Sequence, residues 1–165
     1  MLSEKRNKAV FFDRDGTLNN NGDYYVYNTG RFRFNPGVEE TLKILSEKGY
    51  LLFVVSNQSG ISKELYNYKD ADKVNEFMKE KLSASGVRLT DILYCTHHPD
   101  QGKCLCRKPE SLLVERLVSR YSVDASKSFF VGDAQRDTDA GEKAGLRGIL
   151  IAPNSDLRQI LKIIP

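Results

Sequence analysis

Five short apolar runs recur along the chain, at Ala9 to Asp13, Tyr50 to Ser56, Asp91 to Cys95, Ser128 to Gly132 and Leu146 to Ile151. Several are apolar enough to be strands buried on both faces. Segments with apolar residues three and four positions apart accompany them, at 37–48, 70–85, 110–121, 137–144 and, more weakly, 157–163. That spacing predicts amphipathic helices. Strand and helix alternate, so the expected fold class is α/β: a parallel sheet with helices on both faces, joined by right-handed crossovers. In such a sheet ligands bind beyond the carboxyl ends of the strands. The longest irregular stretch, Asn19 to Asn35, directly follows the first predicted strand and is placed to touch a substrate.

A chain of 165 residues with 40% hydrophobic content can bury a real core, and its length fits one domain spanning 1–165. The formal net charge is +3 without a block of like charges, which suits a small anionic substrate and gives no indication of nucleic-acid or membrane-surface binding. No stretch approaches the roughly 20 apolar residues of a membrane span, and a cytoplasmic monomer is expected.

The first strand ends in Asp13-Arg14-Asp15-Gly16-Thr17, which brings two carboxylates into one loop. Like charges held that close need a cation or a shared proton, and catalysis is the usual reason to keep them there. The second run ends in Ser56-Asn57-Gln58-Ser59-Gly60, whose hydroxyls and amides suit either a phosphoryl group or a helix cap. Arg107-Lys108-Pro109 offers two cations where Pro109 can open a helix, and Gly132-Asp133 ends the fourth run with Asp137 four residues on. Each element alone has an ordinary structural reading. Together they place acids, a hydroxyl and a lysine on one edge of the sheet.

The ordered set Asp13-x-Asp15-Gly16-Thr17, Ser56-Asn57, Lys108-Pro109 and Gly132-Asp133-x-x-x-Asp137 resembles the four signatures of the haloacid dehalogenase phosphatase superfamily. The resemblance implies that Asp13 attacks phosphorus to give an aspartyl-phosphate. Asp15, kept protonated, would donate to the leaving alkoxide and then activate water. Ser56 and Lys108 would hold the phosphoryl group, and Mg2+ would be bound by Asp13, the Asp15 carbonyl and Asp133. Asp137 would orient the metal's surroundings or Lys108, and Thr17 would bond near Asp15.

Cys95-Thr96-His97-His98 and Cys104-Leu105-Cys106 hold every cysteine and histidine of the chain within twelve residues. Cys95, His97, Cys104 and Cys106 make a Cys3His set of the kind that takes structural Zn2+, with His98 as the alternative to His97. Because Cys106 precedes Arg107 and Lys108, such a knot at 95–106 would fix the cations that meet substrate. Within the superfamily, Cys-x-His-His-Pro followed by Cys-x-Cys-Arg-Lys-Pro resembles the branch of D-glycero-D-manno-heptose 1,7-bisphosphate 7-phosphatases and histidinol-phosphate phosphatases. Asp-Arg-Asp-Gly-Thr and Ser-Asn-Gln-Ser-Gly-Ile fit the heptose side best, which implies a place in ADP- or GDP-heptose biosynthesis. Carried over by position, Asn19, Asn20, Asn21, Gly22, Ser56, Asn57, Gln58 and Ser59 would contact substrate, and Arg107 with Lys108 would meet its phosphates.

Two departures stand out: the zinc loop is short, nearer the histidinol type, and Ala134 occupies a position where heptose enzymes often carry lysine. About 45 residues separate Ser59 from the Cys-Arg-Lys element, and a helix and a strand consume most of them, so no inserted cap domain is expected. A reading of another class is a zinc-stapled basic module that binds nucleic acid through Arg107, Lys108, Tyr24, Tyr25 and Tyr27. The acids beside that surface argue against it, because they would repel nucleic-acid phosphate.

Overall fold

The computed structural model describes residues 6–22 and 24–165; Asp23, within the predicted substrate loop, and the first five residues lie outside the described residues. Five parallel strands, β1 (Ala9–Phe12), β2 (Leu51–Asn57), β3 (Asp91–Cys95), β4 (Phe129–Gly132) and β5 (Arg147–Leu150), form one sheet in the order β3-β2-β1-β4-β5. Four α-helices join them: α1 (Val38–Glu47), α2 (Tyr68–Ala84), α3 (Leu112–Arg120) and α4 (Gln135–Lys143). The chain steps outward from β1 on one side and then restarts on the other, so the strand order reverses between β1 and β4. A crevice opens at such a reversal.

Two-residue alternation divides the core. Val10, Phe12, Leu52, Val54, Phe129 and Val131 face a layer that includes Leu42, Leu45, Val74, Met78 and Leu82 of α1 and α2. Ala9, Phe11, Phe53, Val55 and Phe130 face Leu113, Val114, Leu117 and Ala140 of α3 and α4. β1 and β4 are buried along their whole length, as their unbroken apolar runs require. A side chain at Gly141 would put its Cβ 2.5 Å from that of Phe130, so glycine is what lets α4 lie against β4 and hold its N-terminal turn over the crevice.

The structure corrects two element assignments. The segment 157–163 is a 3-10 helix, Leu157–Lys162, rather than an α-helix. Its buried residues Leu157 and Ile160 are three apart, and a three-residue turn stacks them on one side. Pro109 does not open α3, which begins at Leu112 after a turn closed by Glu110 N donating to Arg107 O. The other predicted elements are present with ends displaced by at most two residues; α2 starts early because Asn67 and Asp70 cap its first turn reciprocally. No helix among the described residues is long and apolar enough to cross a membrane.

Candidate active site

The carboxyl ends of β1, β2 and β4 meet at one cleft, lined by Asp13, Asp15, Asn21, Tyr24, Tyr25, Ser56, Asn57, Gln58, Ser59, Arg107, Lys108, Asp133 and Arg136. Its volume is about 100 Å³, well below the roughly 300 Å³ at which ordinary small-molecule pockets begin. There is room for a phosphoryl group, and the rest of a larger substrate must lie across the mouth.

Lys108 is 1% exposed, and its Nζ donates to Asp13 Oδ1 at 2.6 Å and to Val55 O at 2.7 Å, and pairs with Asp137 Oδ1 at 2.7 Å. Asn57 fixes the lysine's backbone: Lys108 N donates to its Oδ1 at 3.0 Å, and its Nδ2 donates to Lys108 O at 3.1 Å. Asn57 thus spends its side-chain amide on the Lys108 backbone while lining the cleft. Asp137 serves two ends at once. Its Oδ2 accepts from Ala134 N at 3.0 Å, capping α4, while Oδ1 faces the lysine.

Asp13, Asp133 and Asp137 bring oxygens within 4.8 Å of one another. Burial and the charge of Asp137 push the Asp13 carboxyl up to about 8, against the pull of Lys108. Burial, with Asp137 again adding to it, also raises Asp133. One ammonium therefore faces three carboxylates in a nearly dry corner. Gly16, at φ +89°, is required twice: for its left-handed turn, and because a Cβ there would lie 2.5 Å from Asp133 Oδ2. Thr17 Oγ1 donates to Asp133 Oδ1 at 3.2 Å, which moves its expected partner from Asp15 to Asp133.

Four hydrogen bonds hold the Asp15 carboxyl group. Its Oδ1 accepts from Arg14 Nε (3.1 Å) and Asn19 Nδ2 (3.0 Å), and its Oδ2 from Arg14 Nη2 (3.0 Å) and Gln58 Nε2 (2.9 Å). Every partner is a donor, so the direction of the carboxyl group is fixed from both of its oxygens. Gln58 Nε2 also donates to Ser56 Oγ at 2.7 Å, and its Oε1 accepts from Tyr66 at 2.6 Å.

Of the predicted substrate contacts Asn19, Asn20, Asn21 and Gly22, only Asn21 lines the cleft. Asn19 is fully buried behind Asp15, and Asn20 turns its Oδ1 back to accept from Gly22 N at 2.9 Å. Side chains so short cannot all reach one cleft from a loop that doubles back on itself. Ser56, Asn57, Gln58, Ser59, Arg107 and Lys108 do line it. Sequence reading passed over Arg14, Tyr66, Arg136 and Asn154. Asn154 exchanges bonds of 3.0 and 2.9 Å with Asn21 from beyond β5, a pairing of positions 133 residues apart that carries no local signal.

Cys95, His97, Cys104 and Cys106 gather as one cluster, with sulfur–sulfur distances of 3.7, 3.7 and 3.2 Å and His97 Nδ1 3.4 and 3.2 Å from Cys95 and Cys106. A tetrahedral ion with metal–sulfur bonds of about 2.3 Å spaces its thiolates about 3.8 Å apart, so the donors fit Zn2+. His98 points elsewhere, its Nδ1 accepting from Asp100 N at 3.2 Å. Arg107 Nη1 donates to His97 O at 3.2 Å, tying the cluster to the cleft.

This geometry has relatives. Residues 8–147 match the family model described as polynucleotide kinase 3 phosphatase. The chain belongs to this phosphatase family. Through it the protein is a member of the haloacid dehalogenase superfamily, as its motifs imply. It is 40% identical over 146 residues to the D-glycero-beta-D-manno-heptose-1,7-bisphosphate 7-phosphatase of Haemophilus ducreyi, covering 85% of this chain and 80% of that one. It is 31% identical over 151 residues to the D-glycero-alpha-D-manno-heptose-1,7-bisphosphate 7-phosphatase of Photorhabdus laumondii, covering 88% and 82%. The crystal structure of the B. bronchiseptica D,D-heptose 1,7-bisphosphate phosphatase complexed with magnesium and phosphate superposes with a TM-score of 0.83, at 29% identity over 96% of this chain and 88% of that one.

The raised Asp13 carboxyl has a measurable sign. Its folded pKa lies above the unfolded value of 3.8, so the stability it contributes is complete below that value and is lost as pH rises through about 8. In metal-free protein, Asp13→Asn should gain stability over the wild type between pH 5 and 8.5, read as a growing difference in urea midpoint. A difference that stays constant across that range would contradict the assignment.

Proposed function

We propose that this phosphatase is a Mg2+-dependent phosphomonoesterase that removes the 7-phosphate of a D-glycero-D-manno-heptose 1,7-bisphosphate through an aspartyl-phosphate on Asp13. The observation that carries the reading is the convergence of Asp13, Asp133 and Lys108 on a cleft sized for a phosphoryl group. Three carboxylates against one ammonium leave negative charge that a hard cation neutralises, and the oxygen donors of Asp13, Asp133 and the Asp15 carbonyl suit Mg2+. When bound, the ion would lower the charge on the phosphoryl oxygens and hold Asp13 ionised. Lys108 orients Asp13 Oδ1, leaving the other carboxylate oxygen for phosphorus. Ser56 Oγ and Lys108 supply donors for the charge that builds on the phosphoryl oxygens. Asp15, turned to the same cleft, handles the proton of the leaving alkoxide and then that of the attacking water.

Arg107 and Arg136 stand on the cleft with Tyr24 and Tyr25, offering two guanidinium groups and two aromatic faces to a substrate with a second phosphate. Arg136 supplies charge two positions after Ala134, the residue that departs from the heptose pattern. The names of the relatives support the heptose bisphosphate, and those names include both anomers. Zn2+ in the Cys95, His97, Cys104, Cys106 set has a mechanical use in this reading, since it would hold the segment that carries Arg107 and Lys108.

Phosphate release with Mg2+ from both heptose 1,7-bisphosphate anomers, histidinol phosphate and a 3′-phosphorylated oligonucleotide tests the assignment. A heptose bisphosphate should give the highest kcat/KM, and Asp13→Asn should abolish turnover while remaining folded; preference for either of the other substrates would overturn the substrate, and an active Asp13→Asn the nucleophile. For the knot, Cys104→Ser should lose bound zinc by elemental analysis and lower kcat/KM without abolishing it. Full zinc content in that variant would contradict the ligand set.

A further inference from the structure

Arg14 grips Asp15 from behind the cleft without lining it. It follows β1 at a position whose two-residue phase, after Val10 and Phe12, points into the layer beneath α1 and α2, where a large apolar side chain is expected. Instead a guanidinium lies there with 0% exposure. A charge taken so completely from water is tolerated only where partners replace its hydration.

The partners are specific. Nε and Nη2 grip the two oxygens of Asp15 side-on at 3.1 and 3.0 Å, Nη2 also donates to Val26 O at 2.7 Å, and Nη1 donates to Asn75 Oδ1 of α2 at 3.1 Å. The fork matches the carboxylate in shape, which a lysine cannot do. Three separate pieces of the protein thus meet on one planar group: the acid of the cleft, a framework helix and the tyrosine loop.

The loop contact matters because Val26 follows Tyr24 and Tyr25, which line the cleft, and precedes Tyr27, whose ring stacks on Tyr66 at 5.1 Å and 8°. Tyr66 in turn donates to Gln58, and Gln58 donates to Asp15. The loop therefore reaches the Asp15 carboxyl by two independent routes, one through Arg14 and one through Tyr66 and Gln58. Arg14 does not line the cleft, so it acts on substrate only through what it holds.

We propose that Arg14 is a positioning residue that fixes the direction of the Asp15 carboxyl and couples it to the tyrosine loop, so that the group passing a proton to the leaving alkoxide is aimed by a loop that lines the cleft. The proposal rests on the reading of Asp15 as the proton-transfer group. A misdirected Asp15 harms substrates in proportion to how much their leaving group needs a proton. Phenyl phosphate and heptose 1,7-bisphosphate need one far more than p-nitrophenyl phosphate, whose leaving group departs as a stable anion.

The test compares kcat/KM on these three compounds for wild type, Asp15→Asn, Arg14→Met, Arg14→Lys and Asn75→Ala, with thermal unfolding of each. Arg14→Met should lose on the order of 10- to 100-fold more on phenyl phosphate than on p-nitrophenyl phosphate, within the range of general acid catalysis. Arg14→Lys should fail to restore the balance, because it keeps the charge and loses the fork. Asn75→Ala leaves Arg14 in place, frees one anchor and sits in a helix that favours alanine, so it decides the matter where Arg14→Met does not fold; it should show a smaller bias in the same direction.

An Asp15→Asn variant without leaving-group bias would remove the underlying reading, and the proposal with it. Bias in Asp15→Asn with equal losses on all three compounds in Arg14→Met and Asn75→Ala would overturn the proposal alone, as would wild-type behaviour of Arg14→Lys.

Discussion

An almost fully buried lysine ammonium, held between two carboxylates and a strand carbonyl, is the interaction on which the rest of the site depends. Lys108 arrives from a loop, Asp13 from the end of β1, Asp137 from the first turn of α4 and Val55 from β2. The pair therefore locks together the elements flanking the crevice. It also leaves the corner short of positive charge, since Asp13, Asp133 and Asp137 share one ammonium. The raised carboxyls of Asp13 and Asp133 are the electrostatic record of that shortage. In the proposed reading a divalent cation would make up that shortage and let an anionic phosphoryl group approach.

Around this centre the protein spends its side chains on holding loops. Asn57 grips the backbone of Lys108, Asn154 grips Asn21, and the cysteine–histidine cluster ends one residue before Arg107. Loops at a strand edge carry chemistry but have little apolar surface with which to fix themselves. Short amides in reciprocal pairs, together with a four-donor cluster, supply rigidity where packing cannot.

The sheet was legible because β1 and β4 are buried on both faces and read as unbroken apolar runs, while the helices kept their three- and four-residue spacing. The gathering of acids at one sheet edge was legible because strand ends must deliver them, and the family motifs fixed their order. What escaped was of one kind. The segment 157–162 has apolar spacing compatible with either helix, and its shorter turn follows from packing against α1. Thr17, Asn19 and Asn57 found partners set by the path of a folded loop, on which sequence neighbours bear little. Arg14 was invisible for the same reason: a charged residue at a core-facing position looks like a surface residue until Asp15, Val26 and Asn75 are brought around it.

In the proposed reaction Asp13, held by Lys108, becomes covalently phosphorylated. The most direct measurement is rapid acid quench of the Mg2+-loaded enzyme with radiolabelled heptose 1,7-bisphosphate, followed by peptide mapping. The account predicts label that appears before free phosphate, resides on the peptide containing Asp13 and is absent from Asp13→Asn. Phosphate release at full rate with no protein-bound label, or label on another residue, would contradict it.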